Sequence, residues 1–230
     1  VIARLAALPV VRAWHAGTAL VIGAALLVQV VLLVAGGQAT IPERLLRAIS
    51  YFTIQANLLA LVGAVAILLR PERDSTGWRV VRLDALVSAL VTFVVYLVLL
   101  RPTLHLSGWQ EAAHVGLHYL GPLLVVGGWL LFGPRLRIDL RVALLGLAWP
   151  VGWFAWTLVH GAVASFYPYP FVDVRSLGYS GVLLRAGVVL ALLLGLAVAA
   201  WTVDRRLNTL SPHGWVPPWQ AAEDGTRAPV

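Results

Sequence analysis

The chain has 230 residues, 60% of them hydrophobic and only 12% charged, with a mean hydropathy of +0.86. That balance lies outside a soluble globular domain and leaves room for about six helices of roughly 20 residues with short loops, so the sequence predicts an all-α polytopic membrane protein, a six-transmembrane-helix bundle. The formal charge of +7 reflects 17 arginines and no lysine. Because these arginines stand at the ends of apolar runs and not among clustered aromatics, a nucleic-acid surface is excluded, and the absence of cysteine excludes disulfides, thiolate metal sites and a cysteine nucleophile.

The first apolar run spans about 14–36, after Arg4 and Arg12. Gly37-Gln38-Ala39 resembles a signal-cleavage site, but the run is too long for the apolar core of a secretory signal, and a spanning helix is expected. The second run, about 44–69, follows Ile41-Pro42-Glu43 as a helix start and carries Ser50, Thr53 and Asn57 at i, i+3, i+7, which would put all three on one face of one helix. Lipid satisfies neither a hydroxyl nor an amide, so this face should turn into the protein or a wet cavity. The third run, about 82–100, stops at Arg101-Pro102 and aligns Ser88, Thr92 and Tyr96 on one face. The fourth, about 108–132, ends at Gly133-Pro134 and carries Glu111, His114 and His118 at the same spacing as the second run's polar set. The fifth, about 142–162, aligns Trp149, Trp153, Trp156 and His160 in a stripe, and the sixth spans about 177–203. Residues 208–230, with Pro212, Pro217 and Pro218 and no helical period, read as an extended or disordered cytoplasmic tail. No internal repeat marks the duplicated halves of a transporter.

A cytoplasmic N-terminus puts Arg4, Arg12, Arg70, Arg73, Arg79, Arg82, Arg135, Arg137, Arg141, Arg205, Arg206 and Arg227 on one side, against Arg44, Arg47, Arg101, Arg175 and Arg185 outside or near it. The expected localisation is a bacterial plasma membrane with both termini cytoplasmic. Thr53 and Asn57, two or three turns into the second helix, then lie in the outer leaflet, and His118 reaches a similar depth because the fourth helix also starts outside.

A hydroxyl and an imidazole at one level are the minimum for a base-activated nucleophile. A threonine in a membrane helix is more often a helix-contact residue. A histidine kept at mid-helix costs about 2–3 kcal/mol and marks a functional position; His114, nearer the surface, reads equally well as interfacial. Asn57, one turn below Thr53, is set to donate to an oxyanion or across to another helix, with Ser50 as further polar support. Segment 165–178 lies outside in this topology, so Tyr167, Tyr169 and Asp173 could cap the cavity, and Asp173 either orients a histidine as the third member of a triad or remains a solvated carboxylate. Trp153, Trp156, His160 and Tyr169 would wall an acyl pocket, or simply pack. The sequence requires no metal and no cofactor. Glu111, His114, His118 and Asp173 lack the spacing of a zinc hydrolase, no nucleophile elbow, phosphate loop or dinucleotide fingerprint is present, and nothing favours His118 and His160 as a haem pair.

Tyr51-Phe52-Thr53 followed by Asn57-Leu58-Leu59, together with His118-Tyr119-Leu120-Gly121-Pro122-Leu123-Leu124 and Tyr167-Pro168-Tyr169-Pro170-Phe171-Val172-Asp173-Val174 before Gly178-Tyr179, resembles the androgen-induced protein family in a bacterial branch. Its animal members are transmembrane threonine hydrolases that cleave fatty acid esters of hydroxy fatty acids. The resemblance covers most of the six-helix region and implies Thr53 as the nucleophile and His118 as the catalytic histidine, with His114 left beside it as the alternative. The function expected is a membrane-embedded lipid-ester hydrolase acting on a membrane lipid or fatty-acyl ester from the outer leaflet. The alternatives are a non-catalytic scaffold or lipid-binding subunit using the same polar cavity, and a small-solute transporter.

Overall fold

The computed structural model describes residues 7–36, 39–71, 73–133 and 136–209. The expected tail from 210 onward lies outside the described residues, as do Gly37, Gln38, Pro134 and the topological arginines Arg4, Arg135 and Arg227. Seven helices follow one another, with no strand among the described residues: α1 Ala7–Ala35, α2 Ile41–Ser50, α3 Phe52–Leu69, α4 Thr76–Thr103, α5 Gly108–Phe132, α6 Leu140–Ala164 and α7 Val174–Thr209. All except α2 contain a stretch long and apolar enough to cross a membrane. The chain is an integral membrane protein, an all-α six-helix bundle. Helix α1 begins at Ala7 instead of 14 and α4 at Thr76 instead of 82, α6 overruns its expected limits at both ends and α7 at its C-terminal end, because hydropathy marks the lipid-facing core of a helix and not its hydrogen-bonded ends; the first turn of α7 is set off by a kink at Gly178 (φ 64°, ψ 168°).

The largest departure from the sequence reading is in the second run, which is two helices and not one. Helix α2 is a short amphipathic element with Pro42 in its first turn, Glu43 near its N-terminus and Arg47 in its last turn, each matched to the helix dipole. Arg44 reaches back to the end of α1, where Nη1 donates to Val34 O at 2.8 Å and Gly36 O at 2.6 Å, and Nε to Ala39 O at 2.6 Å. Carbonyls at and just beyond the helix end thereby gain a cation. Tyr51 is extended (φ −72°, ψ 126°) and separates Ser50, the last residue of α2, from α3. Ser50, Thr53 and Asn57 therefore do not form one helical face, and Thr53 stands in the first turn of α3.

Two prolines inside helices widen the backbone ladder just before them. In α4, residues 96–100 form a π turn with Arg101 N–H bonded to Tyr96 O; in α5, residues 116–120 do the same with Gly121 N–H on Gly116 O. Pro102 and Pro122 come next and have no N–H, so the following carbonyl in each widened ladder, Leu97 O and Leu117 O, loses its i+5 donor. The expected stop at Arg101-Pro102 is thus a softened end that continues as a 3-10 turn to Thr103, and Pro122 is absorbed within α5.

Helix α4 is the hub. Half of its apolar window is buried, against 11% for α7, and α3, α5, α6 and α7 all pack on it. Helix α1 lies on α3 and α5, approaching α5 so closely that a Cβ on Gly116 would stand 2.5 Å from Ala25 Cβ. Only glycine allows the π turn of α5 to sit there. Helices α6 and α7 flank α4, and a groove runs between them whose α7 wall includes Leu183, Leu190, Leu194 and Val198, all still exposed at the outer surface of the bundle.

Candidate functional site

Thr53 is buried at the start of α3, where its hydroxyl meets side chains from two distant segments. Oγ1 lies 3.4 Å from His118 Nε2, on the π turn of α5, and 3.2 Å from the Tyr169 hydroxyl, in the connection between α6 and α7. The first N–H groups of a helix have no partner within it, and the Thr53 N–H donates to the Tyr169 oxygen at 3.1 Å. Burial pushes the Tyr169 phenol up to about 12, against the opposing pull of its hydrogen bonds with Thr53, so it remains a donor across the physiological range.

These contacts fix the direction of the protons. His118 Nδ1 lies 3.1 Å from His114 O, and a carbonyl only accepts, so Nδ1 carries the proton and Nε2 presents a lone pair to Thr53. The consistent chain runs from Tyr169 O–H to Thr53 Oγ1, and from Thr53 O–H to His118 Nε2. Tyr96 from the π turn of α4 stacks on the His118 ring, with centroids 3.8 Å apart and planes 20° from parallel. It is His118, not His114, that meets Thr53; His114 contributes its main-chain carbonyl, and its ring lies 5.1 Å from that of His118 and 5.6 Å from that of Tyr96.

Asn57 is committed elsewhere. Its Nδ2 donates to Thr53 O at 2.9 Å and to Leu117 O at 3.2 Å, the carbonyl stranded by Pro122. Its donor therefore ties α3 to the π turn of α5 and is not free for an oxyanion. Asp173 does not orient a histidine either. Arg175 grips it with Nε at 3.0 Å and Nη2 at 2.7 Å, and this hydrogen-bonded guanidinium holds the carboxyl below its usual range.

Ser50, Trp156 and His160 form a separate cluster. Ser50 Oγ donates to Leu46 O at 2.8 Å and accepts from Trp156 Nε1 at 3.1 Å, leaving His160 Nδ1–H to donate from 3.0 Å. Trp153 Nε1 bonds Ser50 O at 2.9 Å, and Trp149 Nε1 bonds Gln55 Oε1 at 2.8 Å. The tryptophan stripe thus holds α6 to the break at Tyr51. Trp156 and His160 do not line the cavity beside Thr53, contrary to the sequence expectation, whereas Trp153 and Tyr169 do. His118 and His160 belong to different clusters, so they do not face one another as haem ligands would.

That cavity has a volume of about 320 Å³ and lies at one end of the groove between α6 and α7, with Thr53 on its wall and apolar side chains such as Val91, Phe154 and Leu190 around it. The Thr92 hydroxyl, on the same wall, is buried without a partner among the described residues. Among the described residues no three His, Asp or Glu side chains gather as a metal site requires, and Glu111 pairs with Arg101 at 3.4 Å.

No family model, curated protein or solved structure matches the chain. The chemistry of the site therefore rests on its own geometry. Sequence reasoning had Tyr96 on an inward face but not its stacking on His118, and it had no means of finding the His114 and Leu117 carbonyls. Their roles depend on the π turn, whose available signal was proline within an apolar run.

Proposed function

We propose that the protein is a membrane-embedded ester hydrolase in which Thr53 is the nucleophile and His118 its base, a reading that agrees with the resemblance to the androgen-induced protein family. The observation that carries it is the Thr53 Oγ1 to His118 Nε2 contact of 3.4 Å, with the base nitrogen oriented by His114 O, on the wall of an apolar cavity. Thr53 Oγ attacks the acyl carbon while its proton passes to His118 Nε2. The tetrahedral intermediate expels the alcohol, which takes that proton. Water then gives a proton to His118 and attacks the acyl-threonine, releasing the carboxylic acid and restoring the threonine hydroxyl. The positive charge on His118 is met by the His114 carbonyl at Nδ1, in the place an aspartate holds in a serine triad.

The Tyr169 O–H, held at the N-terminus of α3, is the donor for the oxyanion, the role expected of Asn57. The distribution of arginines supports an orientation in which Thr53 belongs to the outer half of the membrane, with both termini in the cytoplasm of a bacterial cell. Lipid esters would enter sideways between α6 and α7. A fluorophosphonate probe should label Thr53 in the purified protein, and neither Thr53→Ala nor His118→Ala should be labelled. Labelling that persists in Thr53→Ala overturns the assignment.

A second reading, a non-catalytic scaffold, is favoured by one observation: Asn57 and Ser50 both spend their hydrogen bonds on holding helices together. It predicts no probe labelling, and melting-temperature losses in Thr53→Ala as large as those in Ser50→Ala.

A further inference from the structure

The groove between α6 and α7 contains a second and larger cavity, of about 660 Å³, toward the end of the bundle that carries Arg137 and Arg205. It meets the Thr53 cavity at Pro150 and Leu193, which line both. Asp84 of α4 stands on its wall, and the cavity's exposed lining residues Leu194, Val198 and Trp201 open it to the surrounding lipid.

Asp84 is a carboxylate within the apolar span of α4, and among the described residues it has no hydrogen-bond or ion-pair partner. Its Oδ1 lies against α6 at the cavity wall: a Cβ on Gly146 would stand 2.9 Å from that oxygen, so glycine is what lets the carboxylate sit there. An isolated carboxylate inside a membrane protein is costly and is retained where something complements it. Arg205, on the rim of the same cavity, lies over the Trp201 ring at 4.9 Å and has no carboxylate partner among the described residues. A ligand that matches this lining carries a cation for Asp84, an anion for Arg205, and apolar chains for Leu83, Val87 and Leu147.

We propose that this cavity is a binding site for an aminophospholipid, with the primary ammonium on Asp84, the phosphate on Arg205 and the acyl chains in the groove between α6 and α7. An ammonium brings N–H donors as well as charge, and so complements the two oxygens of Asp84 better than a quaternary amine. The site is separate from Thr53 and does not depend on the hydrolase reading.

The experiment uses the full chain, purified and delipidated in detergent, and titrates it with palmitoyl-oleoyl phosphatidylethanolamine, phosphatidylcholine or phosphatidylglycerol, with binding read by native mass spectrometry and by melting temperature. Phosphatidylethanolamine should bind about tenfold more tightly than phosphatidylglycerol, with phosphatidylcholine between them. Asp84→Asn should remove that preference while melting no lower without lipid, since it deletes an unpaired charge. Arg205→Gln should weaken both phosphatidylethanolamine and phosphatidylglycerol. Gly146→Ala, which crowds Asp84 Oδ1 without changing any charge, gives a second test should Asp84→Asn not fold, and it too should lose the preference. Equal affinity of the wild type for phosphatidylethanolamine and phosphatidylglycerol overturns the proposal, as does a preference that survives in Asp84→Asn and Gly146→Ala.

Discussion

Among the described residues two hydroxyl–histidine pairs are buried, and the shorter one is the structural one. Ser50 and His160 are 3.0 Å apart, Thr53 and His118 3.4 Å. Ser50 gives its proton to Leu46 O and fills its lone pairs with Trp156 and His160, so its imidazole is a donor and there is no base. Among the described residues Thr53 has no main-chain acceptor for its proton, and His118 has its donor nitrogen occupied by His114 O, so the remaining nitrogen can only accept. Ser50 is sealed and Thr53 borders a cavity. Proton direction and access, more than distance, separate the proposed nucleophile from a rivet.

The comparison can be broken most sharply at the Thr53 pair. Thr53→Ala and His118→Ala should each lower lipid-ester turnover by a factor on the order of 10³ or more, the loss typical of triad members, with the double variant scarcely worse than either single. Turnover per folded molecule in Ser50→Ala should match the wild type; full activity in Thr53→Ala would end the distinction between the pairs.

Tyr169→Phe should cost about 10²- to 10³-fold in kcat, since it removes a donor placed for the oxyanion. It carries a pH signature as well. The phenol is raised from an ordinary value of 10 to about 12 in the folded protein, so its contribution to stability is whole below pH 10 and is lost as pH rises toward 12. Melting curves recorded from pH 9 to 11.5 should fall more steeply for the wild type than for Tyr169→Phe.

Ser50→Ala should act on stability in place of catalysis. It leaves Trp156 Nε1 and His160 Nδ1 without their acceptor and should cost about 1–3 kcal/mol, read as a lower melting temperature. The smallest effect belongs to Asp173→Asn. An exposed ion pair is worth at most about 1 kcal/mol, so neither turnover nor melting should change appreciably; a large catalytic loss would restore Asp173 to the histidine's side.

The six spans were legible because hydropathy over some twenty residues outweighs any local signal. The break at Tyr51 was not. No glycine or proline marks it, and the groups that stabilise it, Tyr169 on Thr53 N–H and Trp153 on Ser50 O, come from more than a hundred residues away. The tryptophan stripe was visible as a stripe, but an indole N–H must find an acceptor when buried, and those acceptors on α2 and α3 made it a set of pins for the chain break. Thr53 and His118 stood out as polar residues in apolar helices. The partner that orients His118 did not, because it is the carbonyl of His114, a group that every residue has.

A π turn is what a helix shows when one residue too many has been fitted into it. Removing that residue from 96–100 or from 116–120 would turn one part of the helix by about 100° against the other, and Tyr96 and His118 could no longer lie face to face. The arrangement is therefore written in the count of residues before Pro102 and Pro122 as much as in their identities. Among descendants that keep it, substitutions in these two stretches outside Tyr96, Gly116 and His118 would be tolerated far more readily than a single gap.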